Sequence, residues 1–345
     1  MVKRIGVVLL VLIALLAIWQ YELVSYGWMQ ARGQLRVLAN TKPVDAVLAD
    51  PAYPDSLKQK IRLIQTIKQF AVDSLGLKPS KNYTTFYDQQ GKPILWVVTA
   101  SERYRLLGKE WAFPIIGTFS YKGFFEKDRA DSLVADLQRQ KLDTRTNEVS
   151  AWSTLGFFRD PILSSMLDRS EGSLAELIIH ELTHGTLFIK NSLEYNENLA
   201  DFVGEYGALR FLKAKYGPAA EPYQNYLDTK LFYERYDEHI LRGARQLDSL
   251  YATFGPRMDT SVKEKYKWQL IGQIVSLTDT LTGERPTGQI KKRRVNKLNL
   301  PNNAYFIGYL TYRKQQNQFR TEFDARFKGN FTQYLTYLKQ TYPSL

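Results

Sequence analysis

A chain of 345 residues with 44% apolar and 24% charged side chains can bury a full hydrophobic core, and this balance excludes wholesale disorder. It has no cysteine, which excludes disulfides, cysteine-ligated zinc or iron–sulfur centres and cysteine nucleophiles. The net charge of +12 is spread along the sequence apart from one dense run, KKRRVNK at 291–297; no nucleic-acid-binding module accompanies it, so nucleic acid is not an expected partner.

The sequence begins MVKRIGVVLLVLIALLAIWQYELVSYG, with Lys3 and Arg4 ahead of an uncharged apolar run from Ile5 to Trp19, the layout of an export segment. At about 1.5 Å per residue the run makes roughly 22 Å of helix, short of a hydrocarbon core of roughly 30 Å, so a full span requires continuation through Gln20 to Val24. There is no clear small-x-small cleavage site. The expectation is therefore an uncleaved signal anchor over 1–25, ahead of a cleaved signal peptide, with 26–345 as one domain outside the cytoplasm.

In SLKQKIRLIQTIKQFAVDSLGL, Leu57, Ile61, Ile64, Ile67, Phe70 and Leu75 recur at helical spacing, and Gly76 is placed as a C-cap. NYTTFYDQQGKPILWVVTAS predicts two strands around a Gln-Gln-Gly turn, and WAFPIIGTFSYKGFF supplies further aromatic-rich strand sequence. A helix at 126–140 and a strand near 143–152 follow. From Ser173 onward the sequence predicts helix almost throughout, with stretches at 219–253 and 260–281, and a loop at 283–303 marked by Gly283, Pro286, Gly288 and Pro301. The expected class is α+β, predominantly helical, with one small mixed β-sheet packed among helices.

The chemistry concentrates in LIIHELTHG, residues 177–185, which holds two of the three histidines of the chain. Ser173 and Glu176 read as a Ser-x-x-Glu capping box, with Leu174, Leu177, Ile178 and Leu182 as the apolar positions. On a helix, His180 and His184 project from one face a turn apart, and Glu181 lies beside that face, able to approach a water without binding the metal itself. Zinc hydrolysis requires two imidazoles, a third ligand, an open position and a base. A third ligand is available in YNENLADFVGEYG, where Glu197 and Asp201 stand a turn apart on a second predicted helix. The short connection GTLFIKNSLEY returns that helix antiparallel to the first, so Glu197 can face the histidines while Asp201 accepts from the outward nitrogen of His180 or His184. The competing reading of these carboxylates is a solvated acidic face.

At these residues the chain resembles the gluzincin metallopeptidases, the thermolysin-like group, whose pattern is His-Glu-x-x-His followed by Asn-Glu-x-x-x-Asp. Here those residues are His180, Glu181, His184, Asn196, Glu197 and Asp201. More narrowly, it resembles a bacterial family of predicted, usually envelope-attached aminopeptidases, through YGWMQARGQLRVL, WAFPIIGTFSYKGFF, AWSTLGFFRDPILSSML, the two zinc helices and LPNNAYFIGYLTY. The resemblance implies a gluzincin-like helix pair, one Zn²⁺ held by His180, His184 and Glu197, Glu181 as general base, Asp201 behind a histidine, and a peptide substrate. Members of this family often carry a lipidated cysteine; none is present here, so anchoring is expected from the N-terminal helix. The Gly-x-Met-Glu-Asn motif with which well-known zinc aminopeptidases hold a free amine is also missing.

An oxyanion partner is still required. Tyr312 is the first candidate because it lies in a segment the resemblance marks; His239 and Tyr206 are the others. AWSTLGFFRDP stands where gluzincins place a substrate-pairing edge strand, although its Trp152, Phe157 and Phe158 suit a core equally well. Asn302 and Asn303 line the cleft or cap the helix that follows them. Two further readings are a non-catalytic envelope scaffold that keeps the fold, for which Glu181 has no use, and a binder of anionic lipid or polymer through Lys291 to Lys297.

Overall fold

A computed structural model describes residues 15, 18–113, 117–149, 159–190, 192–278, 300–313 and 316–342. The first part of the described chain comprises α1 (Tyr21–Ala39), β1 (Lys42–Pro43), α2 (Val44–Ala49) and α3 (Asp55–Leu75), then β2 (Thr85–Tyr87), β3 (Trp96–Ser101), β4 (Trp111–Phe113), β5 (Gly117–Phe119) and β6 (Lys122–Phe124). Next come α4 (Lys127–Arg139), β7 (Asp143–Glu148), β8 (Ile162–Leu163) and a 3₁₀ turn (Ser164–Asp168). The remainder is helical: α5 (Glu171–His184), α6 (Leu193–Tyr216), α7 (Glu221–Ala252), α8 (Thr260–Leu277), α9 (Asn303–Arg313), α10 (Gln316–Phe327) and α11 (Phe331–Thr341).

The α+β class and the helical C-terminal half are as the sequence predicts, but the strands do not form one sheet. β1, β2 and β8 make a mixed sheet, β6, β3 and β7 an antiparallel one, and β4 pairs with β5 as a hairpin. The turn after β2 is made as expected, with Gln90 and Gly91 at positive φ of 52° and 71°. Its two flanking strands nevertheless join different sheets, because β2 pairs with β1 and β8 while β3 takes β6 and β7. The amphipathic repeat of α3 works as read: Ile61, Ile64 and Ile67 are fully buried, and Gly76 ends the helix in the left-handed conformation, φ 68°. These side chains share the main core with Ile178 and Leu182 of α5 and Phe202 and Val203 of α6, so the two chemistry-bearing helices are embedded in it.

α1 is docked along one face. Tyr26 Oη and Gln30 Nε2 both donate to the Gly123 carbonyl, at 3.0 and 2.7 Å, and Gly33 leaves room for the Phe125 ring, which a Cβ would meet at 2.2 Å. These contacts hold α1 against β6 and the residue that follows it. Among the described residues no helix is long and apolar enough to cross a membrane. The expected anchor falls mostly on residues 1–14, 16 and 17, which lie outside the described residues; Leu15, Ile18 and Trp19, which border them, are exposed. The KKRRVNK run, most of the 283–303 loop and residues 151–158 of the expected edge strand also lie outside the described residues.

Candidate metal and catalytic site

α5 begins one turn earlier than the Ser173 capping box implies. Its N-cap is Ser170, whose side chain accepts from the Ser173 amide at 3.3 Å. Glu176, the other half of the predicted box, is instead drawn sideways: its carboxylate accepts from Lys230 Nζ and Tyr226 Oη of α7, both at 3.0 Å. A charged partner on a neighbouring helix outbids a local backbone amide.

The two helices run antiparallel, as the order of their contacts shows. Glu197 faces His180 and His184, Asp201 meets His180, and Gly204 lies against the Glu176 carbonyl and His180. Two features fix that arrangement. Asn196, 1% exposed, clamps the connection by accepting from the Ile189 amide at 2.8 Å and donating to the Ile189 carbonyl at 2.7 Å. Gly204 permits the close approach, because a Cβ there would sit 2.9 Å from the Glu176 carbonyl oxygen.

The result is a convergent donor set. The Nε2 atoms of His180 and His184 are 3.1 Å apart, and the Glu197 carboxylate lies 3.5 Å from the first and 3.8 Å from the second. The three residues each offer one ligand atom within 4.8 Å of the others, close enough to hold a metal ion. Metal–ligand bonds of about 2.0–2.1 Å in a tetrahedron imply ligand–ligand edges of about 3.3–3.4 Å, near the 3.1 Å between the two imidazole nitrogens and the 3.5 Å from His180 Nε2 to Glu197 Oε2. His180 Nδ1 donates to Asp201 Oδ1 at 2.9 Å, which selects the tautomer whose Nε2 lone pair points into the set. His184 Nδ1 is buried with no hydrogen-bond partner among the described residues. Two nitrogens and a carboxylate oxygen suit a borderline divalent ion better than a hard one such as calcium or magnesium.

Electrostatics separate the two histidines. Burial disfavours the cationic form of both. At His180 the hydrogen bonds to Asp201 and Glu197, with their charges, outweigh burial and hold the pKa well above the ordinary imidazole value. At His184 burial dominates and the pKa falls to about 4. Glu197 stays below the usual carboxylate range because the neighbouring imidazoles offset its burial.

The proposed oxyanion donors are placed differently. His239 on α7 is hydrogen-bonded through Nε2 to the Ile274 carbonyl of α8 at 2.7 Å, so it is used in helix packing. The half-buried Tyr206 ring is stacked on Phe331 and edge-on to Phe323, against the apolar core, and its hydroxyl accepts from Arg210. The Tyr312 side chain lies outside the described part of α9. Asn302 caps α9, accepting from the Ala304 amide at 3.1 Å, and buried Asn303 ties that helix to the Glu102 and Arg103 carbonyls, so capping is the reading realised. Sequence reasoning missed two tyrosines. Tyr121, between β5 and β6, has its phenol pKa pushed up by burial and then by the charges of Glu197 and Glu181. Tyr83, just before β2, is fully buried and feels the charge of Glu181. Tyr121 lies inside the WAFPIIGTFSYKGFF segment that the resemblance marked; Tyr83 carried no signal. A cavity of about 700 Å³ lies elsewhere, lined by Lys60, Asp88, Lys92, Glu148, Ser164 and Asp168, and includes none of the three candidate ligands.

Comparisons with curated proteins and with solved structures return no match. A family model described as "Putative aminopeptidase" matches residues 25–342, nearly the whole chain, and the protein therefore belongs to that family.

Proposed function

We propose that the protein is a zinc-dependent peptidase of the gluzincin type, acting at peptide amino ends as its family's description suggests. We also take residues 26–345 as its catalytic domain, held outside the cytoplasm by the N-terminal apolar run. The observation that carries this reading is the convergence of His180 Nε2, His184 Nε2 and a Glu197 oxygen, with Glu181 next to His180 on the same helix. A scaffold needing metal only for shape has no use for a base at that position.

His180, His184 and Glu197 would hold the ion. Bound zinc supplies Lewis acidity, lowering the pKa of a water toward about 7 and polarising a carbonyl. Asp201 fixes the His180 ring and raises its basicity. Glu181 takes the proton of the attacking water and later delivers it to the departing amine. For the oxyanion the choice lies between Tyr312 and Tyr121. Tyr121 is preferred because its phenol stands in the field of both Glu197 and Glu181 and remains protonated, hence a donor, across the working pH range.

The test is metal content and cleavage of a mixed peptide library by the parent chain and by Glu181→Gln. The expected result is one zinc in each protein, with cleavage by the parent alone and release of N-terminal residues. Equal cleavage by the variant removes Glu181 from its role, and a parent chain that binds no zinc overturns the whole reading.

A further inference from the structure

The outer face of α1 is unlike the rest of the surface. Among the described residues, fourteen large apolar side chains are exposed, and eight of them fall between Leu15 and Leu35. Such clustering, rather than exposure by itself, marks a surface that meets something other than water. Within α1, Tyr21, Val24, Trp28, Ala31 and Leu35 recur in steps of three and four, so they form one stripe along the helix. Trp28 is 69% exposed and Leu35 62%. Met29, Gly33, Gln34 and Val37 lie on the opposite side and are buried, and that side, with Tyr26 and Gln30, docks the helix to β6 and Phe125.

Three observations say what covers the stripe. It continues a longer apolar sequence: the uncharged run from Ile5 to Trp19 leads straight into it, and Ile18 and Trp19 are themselves exposed. Its composition is that of a water–hydrocarbon boundary, because Trp19, Tyr21 and Trp28 each join a flat apolar ring to a polar edge. Its charge is of one sign. Arg32 and Arg36, exposed and a turn apart, border the stripe, while the one acid of α1, Glu22, stands in the first turn, away from them. Arginine stems lie along apolar surface while their guanidinium groups reach headgroup phosphates. A second copy of the chain would offer those groups no carboxylate from its own stripe. Gln20, at φ −100° and ψ 31°, departs from helical values of about −63° and −42°, so α1 need not share the direction of the sequence before it.

We propose that the outer face of α1 rests on an anionic lipid bilayer, with Trp28 and Leu35 at the boundary between headgroups and acyl chains and Arg32 and Arg36 on the lipid phosphates. The proposal rests on the reading of the N-terminal apolar run as a membrane anchor, and adds a second contact that an anchor does not itself require. An anchor alone leaves a domain to tumble on its tether. A 19-residue helix, about 28 Å long, laid along the same surface fixes which side of the domain faces the lipid. α1 then stands between the bilayer and β6.

The test uses the full-length chain, whose lack of cysteine lets a single introduced thiol carry a nitroxide label. Val24→Cys and Ala31→Cys report on the stripe while keeping Trp28 and Leu35; Leu231→Cys and Tyr266→Cys report on exposed positions of α7 and α8. Each protein is reconstituted into vesicles of phosphatidylcholine, with or without phosphatidylglycerol, and flotation shows that it is bound. The stripe labels are expected to collide with oxygen, relative to a water-soluble nickel chelate, several-fold more often than the control labels. That excess is expected to fall in phosphatidylcholine alone and in proteins that also carry Arg32→Glu and Arg36→Glu. Floated protein whose stripe labels are as wet as the controls overturns the proposal and leaves the anchor reading intact. Spin–spin broadening of the stripe labels shows a second copy on the face and overturns it too. An excess indifferent to phosphatidylglycerol and to the arginines overturns the anionic surface as the partner. Protein that fails to float removes the anchor, and this proposal with it.

Discussion

Gly204→Ala tests whether the spacing between α5 and α6 sets the metal site. The added methyl would stand 2.9 Å from the Glu176 carbonyl oxygen and 3.2 Å from His180 Cβ. The first is backbone inside a helix and cannot step aside, so α6 must back away by about half an ångström to restore ordinary contact. Asp201 lies on the same helix less than one turn away, and its 2.9 Å hydrogen bond to His180 Nδ1 would stretch by a comparable amount. Loss of such support to a ligating histidine lowers metal affinity by about 10- to 100-fold. Global stability changes less: overpacking costs about 1–3 kcal/mol, and replacing a helical glycine by alanine returns about 1 kcal/mol. Gly207→Ala is the internal control. Its methyl would press at 2.8 Å on the terminal carbons of Ile179 and Leu75 and at 2.9 Å on Ile179 Cγ2, all side-chain atoms, and it touches no residue of the donor set. Competition with a chromophoric chelator reads the affinity, and thermal melts of metal-free protein read the fold. Parent-like zinc affinity in Gly204→Ala, or an equal loss in Gly207→Ala, would refute the argument.

Three further outcomes are expected. Asp201→Asn preserves shape but removes the charge behind His180, so zinc affinity should fall by about 10- to 100-fold in the same competition assay; an unchanged value means Asp201 does not support the ligand. In metal-free protein near pH 7, His180, with its raised pKa, carries a proton and His184, at about 4, does not. Zinc should therefore expel about one proton, and its apparent affinity should climb about tenfold per pH unit until the raised His180 pKa is passed; calorimetry in two buffers of different ionisation heat checks this, and zero release contradicts it. Tyr121→Phe should lower kcat by about 10²- to 10³-fold with zinc content and KM nearly unchanged, whereas parent-like kcat returns the oxyanion role to Tyr312.

Local features were legible in the sequence where one helix or one short connection decides the geometry. The repeat in α3, the paired faces of α5 and α6 and the brevity of the loop between them all follow from spacing, and they bring His180, His184 and Glu197 together. The misread cap shows the limit of such reasoning. Ser173 and Glu176 satisfy the local pattern, but Lys230, contributed by α7, captures the carboxylate that the cap needed. Strand pairing was equally opaque, since short strands on either side of a well-signalled turn found partners elsewhere in the chain. Tyr83 and Tyr121 stand in the field of Glu181 although they come from segments far away in sequence, so that neighbourhood exists only once the core has formed.

The Asn196 clamp gives the site a property of its own. Its two hydrogen bonds, both between protein groups, close the connection between the ligand-bearing helices. Neither bond passes through the His180, His184 and Glu197 donor set, so the connection is expected to close during folding whether or not an ion is bound. Stripping the protein with a chelator should leave a vacant but shaped receptacle that regains its ion at close to the encounter rate, with no refolding delay. An enzyme working where free metal is scarce could in this way lose its ion and recover it many times.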